Sequence, residues 1–399
     1  MAANSRQDGL SKAKKNQANE FYTQYSDIQK ELNAYLEFNP DTFRDKVVLL
    51  PCDDPEYSNF TRFFAQNFET LGLKKLISTS YAADSKTVHY HQITMFEMMS
   101  PQYNETITNS HGKIFTLTRR NKKVDINDLN WKYLDGDGDF RSDEVKALRD
   151  EADIIVTNPP FTLFREFFNW IMEAGKKFLI IGNINCITYK EVFPRIMENE
   201  VWLGNGMGRW ISGFIVPKSY PLYGTETKIN ENGQRIVATN NCLWLTNLDH
   251  GRRHQPMELM TMADNIKFSK HKQVREGKYP KYDNYDAIEV PFSDAIPSDY
   301  DGVMGVPITF LDKYNPEQFV ILGATQRGCH DKVPDTKKYD DYWEVKQDGT
   351  RTGSSGGKTN ENANLAQNDG KKNYFINADG HIIQSSYQRI FIRKVGSHE

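Results

Sequence analysis

The chain has 399 residues, with 50 Lys and Arg against 53 Asp and Glu and a formal charge of −3, which argues against a uniformly basic nucleic-acid binder. With 38 % hydrophobic and 12 % aromatic residues it has enough apolar side chain to offset ordering entropy, and no apolar run of eighteen or more residues marks a membrane span. Met1 to Lys15 is polar and basic and lacks the apolar stretch of a secretory signal, and the four cysteines form no CxxC. A cytoplasmic chain with free thiols, no disulfide framework and no zinc site is therefore expected.

Residues 1–46 read as helical after a basic start. Val47-Val48-Leu49-Leu50 is a continuous apolar run, the pattern of a buried strand, and it ends at Pro51-Cys52-Asp53-Asp54-Pro55. Phe60, Phe63, Phe64, Phe68 and Leu71 recur at helical spacing and Gly72 is a C-terminal stop. Asp54 before Pro55 suits an N-cap followed by the first helical position. Leu73 to Ser80 predicts a second strand, which completes a β-α-β unit. Val88 to Met95 and Lys113 to Thr118 predict an inserted β-hairpin within residues 81–134. The α/β rhythm then returns: a strand from Asp153 to Thr157, a stiff turn Asn158-Pro159-Pro160-Phe161, a helix with Leu163, Phe164, Phe167, Phe168, Ile171 and Met172 on one face, and a strand from Phe178 to Gly182. A doubly wound sheet over roughly residues 20–215 is the economical reading.

Beyond it, Tyr, Pro, Asn and Gly become frequent and short β-like runs occur at Arg235 to Leu245, Gln318 to Gly323 and Tyr387 to Val395. Residues 351–373 are rich in Gly, Ser, Asn and Lys and read as a mobile loop. The expected division is a catalytic domain over 1–215, with an arm at 1–19, and a β- and loop-rich recognition region over 216–399.

The most informative feature is the Asn158-Pro159-Pro160-Phe161 turn at the carboxyl end of a buried strand, where open α/β sheets bind ligands. Two prolines fix two φ angles and remove two N–H donors. What remains is a stiff turn with exposed carbonyls, an amide and an aromatic ring. That set suits a planar amine, with two acceptors for its two N–H bonds and a ring to stack on. The bland alternative is a proline-rich turn that merely ends a strand.

On these residues the chain resembles the S-adenosylmethionine-dependent amino-group methyltransferases, in which (D/N/S)PP(Y/F/W) marks the place of the target nitrogen. More narrowly, it resembles the EcoRI-type adenine-specific DNA modification methylases. Glu20-Phe21-Tyr22-Thr23-Gln24 resembles an EFYT element over the cofactor, the Cys52-Asp53-Asp54 turn stands in the place of the first cofactor loop, and Gly138-Asp139-Phe140 resembles the element that contacts the cofactor's adenine. The glycine-rich FxGxG pattern of that first loop is absent.

The resemblance implies a Rossmann-like core that moves a methyl group from S-adenosyl-L-methionine to N6 of an adenine flipped out of duplex DNA. It implies catalytic roles for Asn158, Pro159, Pro160 and Phe161, and cofactor contacts from Phe21, Tyr22, Thr23, Cys52, Asp53, Asp54, Asp139, Phe140 and Asn158. It also implies a double-stranded DNA partner, a monomer, a bacterial or phage-infected host cell and a setting with a cognate restriction endonuclease. RNA adenine or a protein amide as acceptor, and a catalytically inactive DNA-binding relative, are the alternatives.

From Arg252 to Lys281 there are eight basic residues against three acidic ones, which gives Lys267, Lys270, Lys272 and Arg275 as candidate phosphate contacts, with Tyr279 and Tyr282 nearby; a solvated face is the other reading. Lys12, Lys14 and Lys15 on the arm, Arg209 after the Gly204-Asn205-Gly206-Met207-Gly208 stretch, and Arg389 and Arg393 on a strand-like run complete the candidate DNA contacts. The glycine stretch fails the spacing of a phosphate cradle and reads as a flexible loop. Asp135-Gly136-Asp137-Gly138-Asp139 looks like the start of a calcium loop, but Phe140 and Lys146 stand where Gly and Glu are needed, so a turn presenting Asp139 is expected. The nine His residues, His89 and His91 among them, form no ligand motif, and no metal is expected.

Overall fold

Short continuous apolar runs build the centre of the fold. A computed structural model describes residues 22–82, 100–119, 130–207, 211–216, 227–230, 233–238, 241–325, 335–354, 360, 362–366, 372–385 and 388–396. Strand β1 (Tyr22–Thr23) leads into helix α1 (Tyr25–Phe38); β2 (Val47–Leu50), α2 (Asn59–Gln66) and β3 (Lys75–Thr79) follow as the expected β-α-β unit. The next strands are β4 (Lys113–Thr118) and β5 (Lys132–Tyr133). Then come α3 (Asp143–Glu151), β6 (Ile154–Thr157), α4 (Phe164–Glu173) and β7 (Lys177–Asn183). Eight strands form one mixed sheet in the order β5-β4-β3-β2-β6-β7-β12-β8, with β8 at Trp202–Met207 and β12 at Cys242–Thr246. The central four, β3, β2, β6 and β7, are parallel, and each edge carries two antiparallel strands.

All four residues of β2 and of β6 are buried, as expected for parallel strands covered on both faces. Ile28, Leu32 and Tyr35 of α1 and Phe60, Phe63 and Phe64 of α2 share one apolar cluster with Val48, Leu50, Ile154, Val156 and Trp244. On the other face, Phe168 of α4 meets Phe178 edge-on at 5.9 Å. A second sheet, β1-β9-β11-β10, is built from β1, β9 (Phe214–Val216), β10 (Thr227–Ile229) and β11 (Arg235–Val237).

The chain divides into two compact units, Met1–Cys186 with Trp202–Gly251, and Ile187–Val201 with Arg252–Glu399. The boundary expected at 215 falls inside the first unit, because β9 to β12 complete its two sheets. The second unit contains α5 (Phe193–Met197), α6 (Met262–Phe268) and α7 (Lys272–Gly277). Its first sheet has the order β13-β14-β20-β15, from Ala287–Glu289, Val303–Pro307, Arg389–Lys394 and Phe319–Ala324 respectively. Its other sheet has the order β16-β18-β19-β17, from Tyr342–Lys346, Asn373–Asn377, Ile382–Ser385 and Asn364–Leu365.

Several local expectations change. Helix α2 starts at Asn59, not Pro55: the Ser58 hydroxyl accepts from Phe60 N (3.0 Å) and Thr61 N (3.4 Å), while Asp54 closes a turn by accepting from Glu56 N. Lys113 to Thr118 pairs with β3 along its length and so belongs to the main sheet. Its expected partner, Val88 to Met95, lies outside the described residues, as do His89, His91 and Cys329. Within 351–373, read from composition as a mobile loop, Ala363, Asn364 and Leu365 are buried, and Asn364 N donates to Asn284 Oδ1 at 2.8 Å. Gly204 to Met207 of the glycine stretch lie in edge strand β8, where a flexible loop was expected, and Gly208 lies outside the described residues. At Gly204 a Cβ would lie 2.3 Å from Glu31 Oε1 and 2.5 Å from Trp244 Cβ, so only glycine lets β8 approach α1 and β12 this closely.

Candidate active site

Strand β2 has β3 on one side and β6 on the other, all parallel, while the chain runs β2, β3, then back across to β6. The topological switch point therefore lies between β2 and β6, and the crevice beyond their carboxyl ends is where such sheets take ligands. The β2–β6 register stops at Leu49 opposite Ile155. Residues 51–55 and 158–161 leave the sheet on the two sides of that crevice.

Asp53 is 5 % exposed and stands at its base. Its carboxylate accepts from Ser58 Oγ at 2.6 Å and from Thr157 Oγ1 at 2.7 Å. Its backbone N–H donates to Thr79 O at 2.9 Å, and its carbonyl accepts from Ser78 Oγ at 2.6 Å. Burial pushes its carboxyl up to about 7, against the two hydroxyl hydrogen bonds, and the neighbouring Asp54 charge adds to the rise. Asp53, expected to contact the cofactor, is buried, and each of its carboxylate oxygens accepts a hydrogen bond from the protein. Burial likewise raises the Cys52 thiol well above its usual range, which keeps it protonated.

On the opposite side, Asn158 and Pro160 are half-buried and Pro159 is buried. Neither proline has an N–H, so the turn is held through carbonyls, among them Pro160 O accepting from Leu163 N at 3.0 Å. Phe161 lies edge-on to Phe214 at 6.2 Å. Phe214 pairs with Thr23 across β1 and β9, so strand β1 and the NPPF turn meet through this ring. Asp27 of α1 holds the same segment by accepting from Ser212 N (2.9 Å) and Ser212 Oγ, and Gln24 Nε2 donates to Ser212 Oγ and Gly213 O.

The first loop is anchored by a buried cation. Lys113, its side chain 8 % exposed, contacts Glu56 Oε2, stands 3.7 Å from Asp54 Oδ2 and lies 4.7 Å from the centre of the Trp131 ring. This ion pair stiffens a loop that lacks the usual glycines. Beside it, the 135–140 turn packs on Ser80: Gly138 has φ +80°, and a Cβ there would come within 2.2 Å of Ser80 O, so both backbone and space require glycine. Asp135 N and Gly136 N donate to Glu144. Asp139 lies on this segment. Its carboxylate accepts from Arg141 N (2.8 Å), Nε (2.9 Å) and Nη2 (2.6 Å), and these bonds hold it below the usual carboxylate range. Phe140 is instead 5 % exposed and packs on Phe167 and Trp170 at 5.1 and 5.7 Å, so its ring faces α4.

The crevice suits a cationic, hydroxyl-bearing cofactor in its chemistry. Asp54 and Asp139 offer partly exposed carboxylates, and the buried Thr23 Oγ1 has no hydrogen-bond partner among the described residues. Thr23 O already accepts from Asn59 Nδ2 at 2.8 Å, which ties β1 to the start of α2.

In the second unit Lys267 is exposed at the end of α6, 4.8 Å over the ring of Phe268, itself 62 % exposed. Lys270 pairs with Asp294 at 2.7 Å, Lys272 stands 3.7 Å from Glu276, and Arg275 donates to Ser269 O. Tyr279 and Tyr282, read as neighbours of a DNA face, are both buried; their hydroxyls donate to Ala295 O and Glu289. Arg389 is also drawn inward: it donates twice to Glu289 Oε1 with a side chain 12 % exposed, so phosphate contact gives way to an interior ion pair. Arg393 is half-buried on β20. Lys12, Lys14, Lys15, Phe21 and Arg209 lie outside the described residues. Sequence reasoning missed Ser58, Lys113, Thr157 and Phe214. Thr157 directly precedes the NPPF turn and could have been found there; the others carry no local signal.

A family model described as adenine-specific methyltransferase EcoRI matches residues 9–395. The chain is 48 % identical over 323 residues to the type II methyltransferase M.EcoRI of Escherichia coli, covering 81 % of this chain and 90 % of that protein. It is 35 % identical over 315 residues to M.MpnI of Mycoplasma pneumoniae (78 % and 84 %), and 34 % identical over 315 residues to M.MgeORF184P of Mycoplasma genitalium (78 % and 85 %). No solved structure matches significantly.

Proposed function

The chain belongs to the EcoRI family of adenine-specific methyltransferases, and from that premise we propose how its first unit acts on N6 of a specific adenine in DNA. The observation that carries the reading is the Asn158-Pro159-Pro160-Phe161 turn beside the switch-point crevice, with Phe161 backed by Phe214. Adenine's amino nitrogen is a weak nucleophile because its lone pair is delocalised into the ring. The Asn158 side-chain oxygen and the Pro159 carbonyl accept its two N–H bonds and favour a nitrogen with a localised lone pair. S-adenosyl-L-methionine, when bound, supplies an already activated methyl group. The protein's contribution is therefore positioning and electrostatics, and no strong general base is needed. Tyr22, Thr23, Asp54 and Asp139 hold the cofactor in this reading.

A paired base cannot enter such a crevice, so the adenine is flipped out and rests against Phe161. The core is Rossmann-like in this reading, and the second unit supplies recognition, with the exposed Lys267 and Lys272 among its phosphate contacts. Action as a monomer, in a system with a cognate endonuclease, belongs to the same proposal. The test is Asn158→Ala with labelled cofactor and duplex DNA. Cofactor binding stays within a few-fold of the parent and single-turnover methylation falls at least a hundredfold; an unchanged rate overturns the role of Asn158.

A further inference from the structure

We propose that Asp53 and Thr157 form a positioning pair that bridges the base of the crevice and fixes the turn carrying Asn158. The inference rests on the catalytic reading of Asn158. Three observations point to the pair. The first is the register: β6 is tied to β7 as far as Thr157 opposite Ile180, but to β2 only as far as Ile155. On the β2 side, the last two residues before Asn158 therefore have no ladder partner, and the Asp53–Thr157 hydrogen bond at 2.7 Å restores a tie there.

The second is the turn itself. Pro159 and Pro160 contribute no N–H, so downstream of Asn158 the backbone has two fewer donors with which to fix its position. The residue just upstream therefore bears more of the orientation, and Thr157 is fully buried. A small misplacement of a group that contacts the reacting atoms slows a reaction that depends on alignment.

The third is that Asp53 is itself held from several directions. Ser58, the N-cap of α2, donates to its other oxygen, Thr79 and Ser78 tie its backbone to β3, and Thr61 Oγ1 lies 2.7 Å from Ser78 Oγ. The carboxylate thus relays the positions of β3 and α2 across to β6. An ordinary core would place an apolar side chain here, since a buried carboxylate is costly unless it is fully hydrogen-bonded. Retention of a buried acid at the switch point fits a group kept for alignment.

The experiment compares Thr157→Val, Thr157→Ser, Asp53→Asn and Asn158→Ala in the full chain. Each is read for thermal melting, affinity for the cofactor analogue sinefungin, DNA affinity and the single-turnover rate on duplex DNA. Thr157→Val, which keeps shape and β propensity, is expected to bind both ligands within about threefold of the parent and to methylate at least tenfold more slowly. Thr157→Ser, which restores the hydroxyl, is expected to recover the rate to within about threefold. A parent-like rate in Thr157→Val while Asn158→Ala is inactive overturns the pair and leaves the reading of Asn158 standing. An active Asn158→Ala overturns that reading instead. Loss of sinefungin binding in parallel with the rate, or a Ser variant as slow as the Val variant, also overturns the pair. Should Thr157→Val not fold, Asp53→Asn decides by the same split between rate and binding.

Discussion

Replacing Asp53 by Asn should change how the stability of the protein depends on pH. The carboxyl titrates at about 7, roughly three pH units above its ordinary 3.8, and burial is the main cause. The groups that face it are Ser58 at the N-cap of α2, Ser78 and Thr79 from β3, Thr157 from β6, and Cys52 and Asp54 from its own loop; of these only Asp54 is a second carboxyl, and the Cys52 thiol stays protonated. A folded-state value above the unfolded one means that the native protein holds this proton more tightly than the unfolded chain. The resulting stabilisation is complete below about pH 4 and is lost as the pH rises through 7. At about 1.4 kcal/mol per pH unit the full change is about 4 kcal/mol, of which roughly 2–3 kcal/mol falls between pH 5 and 8.5. The amide that replaces the carboxyl does not titrate. Urea unfolding, followed by fluorescence of the buried Trp131 and Trp244, should therefore show the variant gaining on the parent by roughly that amount as pH rises, with a plateau above about pH 7.5. A constant cost from the altered hydrogen bonds shifts the whole difference curve without tilting it. A difference that is flat from pH 5 to 8.5 refutes the raised carboxyl.

Phe161→Ala should slow single-turnover methylation by about 5- to 150-fold, from the roughly 1–3 kcal/mol of a base–aromatic stack, with a much smaller loss in DNA affinity, since phosphate contacts dominate affinity; equal losses in both measurements count against stacking. Arg389→Met should lower unfolding stability by about 3–5 kcal/mol, because buried Glu289 loses its ion-pair partner, while the salt dependence of DNA binding is unchanged. A drop in that salt slope of about one would show instead that Arg389 neutralises a phosphate.

Patterns that are local in the chain were legible without a structure. The apolar runs at Val47 to Leu50, Ile154 to Val156 and Phe178 to Ile181 announced buried parallel strands, because a strand covered on both faces has no room for a polar position. The NPPF turn announced itself because two prolines and an amide restrict the backbone wherever they stand. The element from Lys113 to Thr118 was recognisable as a strand, but its neighbour was not. Pairing is a choice between distant segments, and alternation records only which residues face inward.

Charge was the least legible feature. Arg389, Lys113 and Asp53 look in sequence like any surface or ligand-facing residue. Each is instead held in the interior by a partner far along the chain: Glu289, Glu56 and Thr157 respectively. The linear sequence determines which residues can ionise and which segments must be buried. Only the folded chain decides which ionisable groups meet, because desolvation and pairing depend on distances set by strand order, and strand order is a property of the whole sheet.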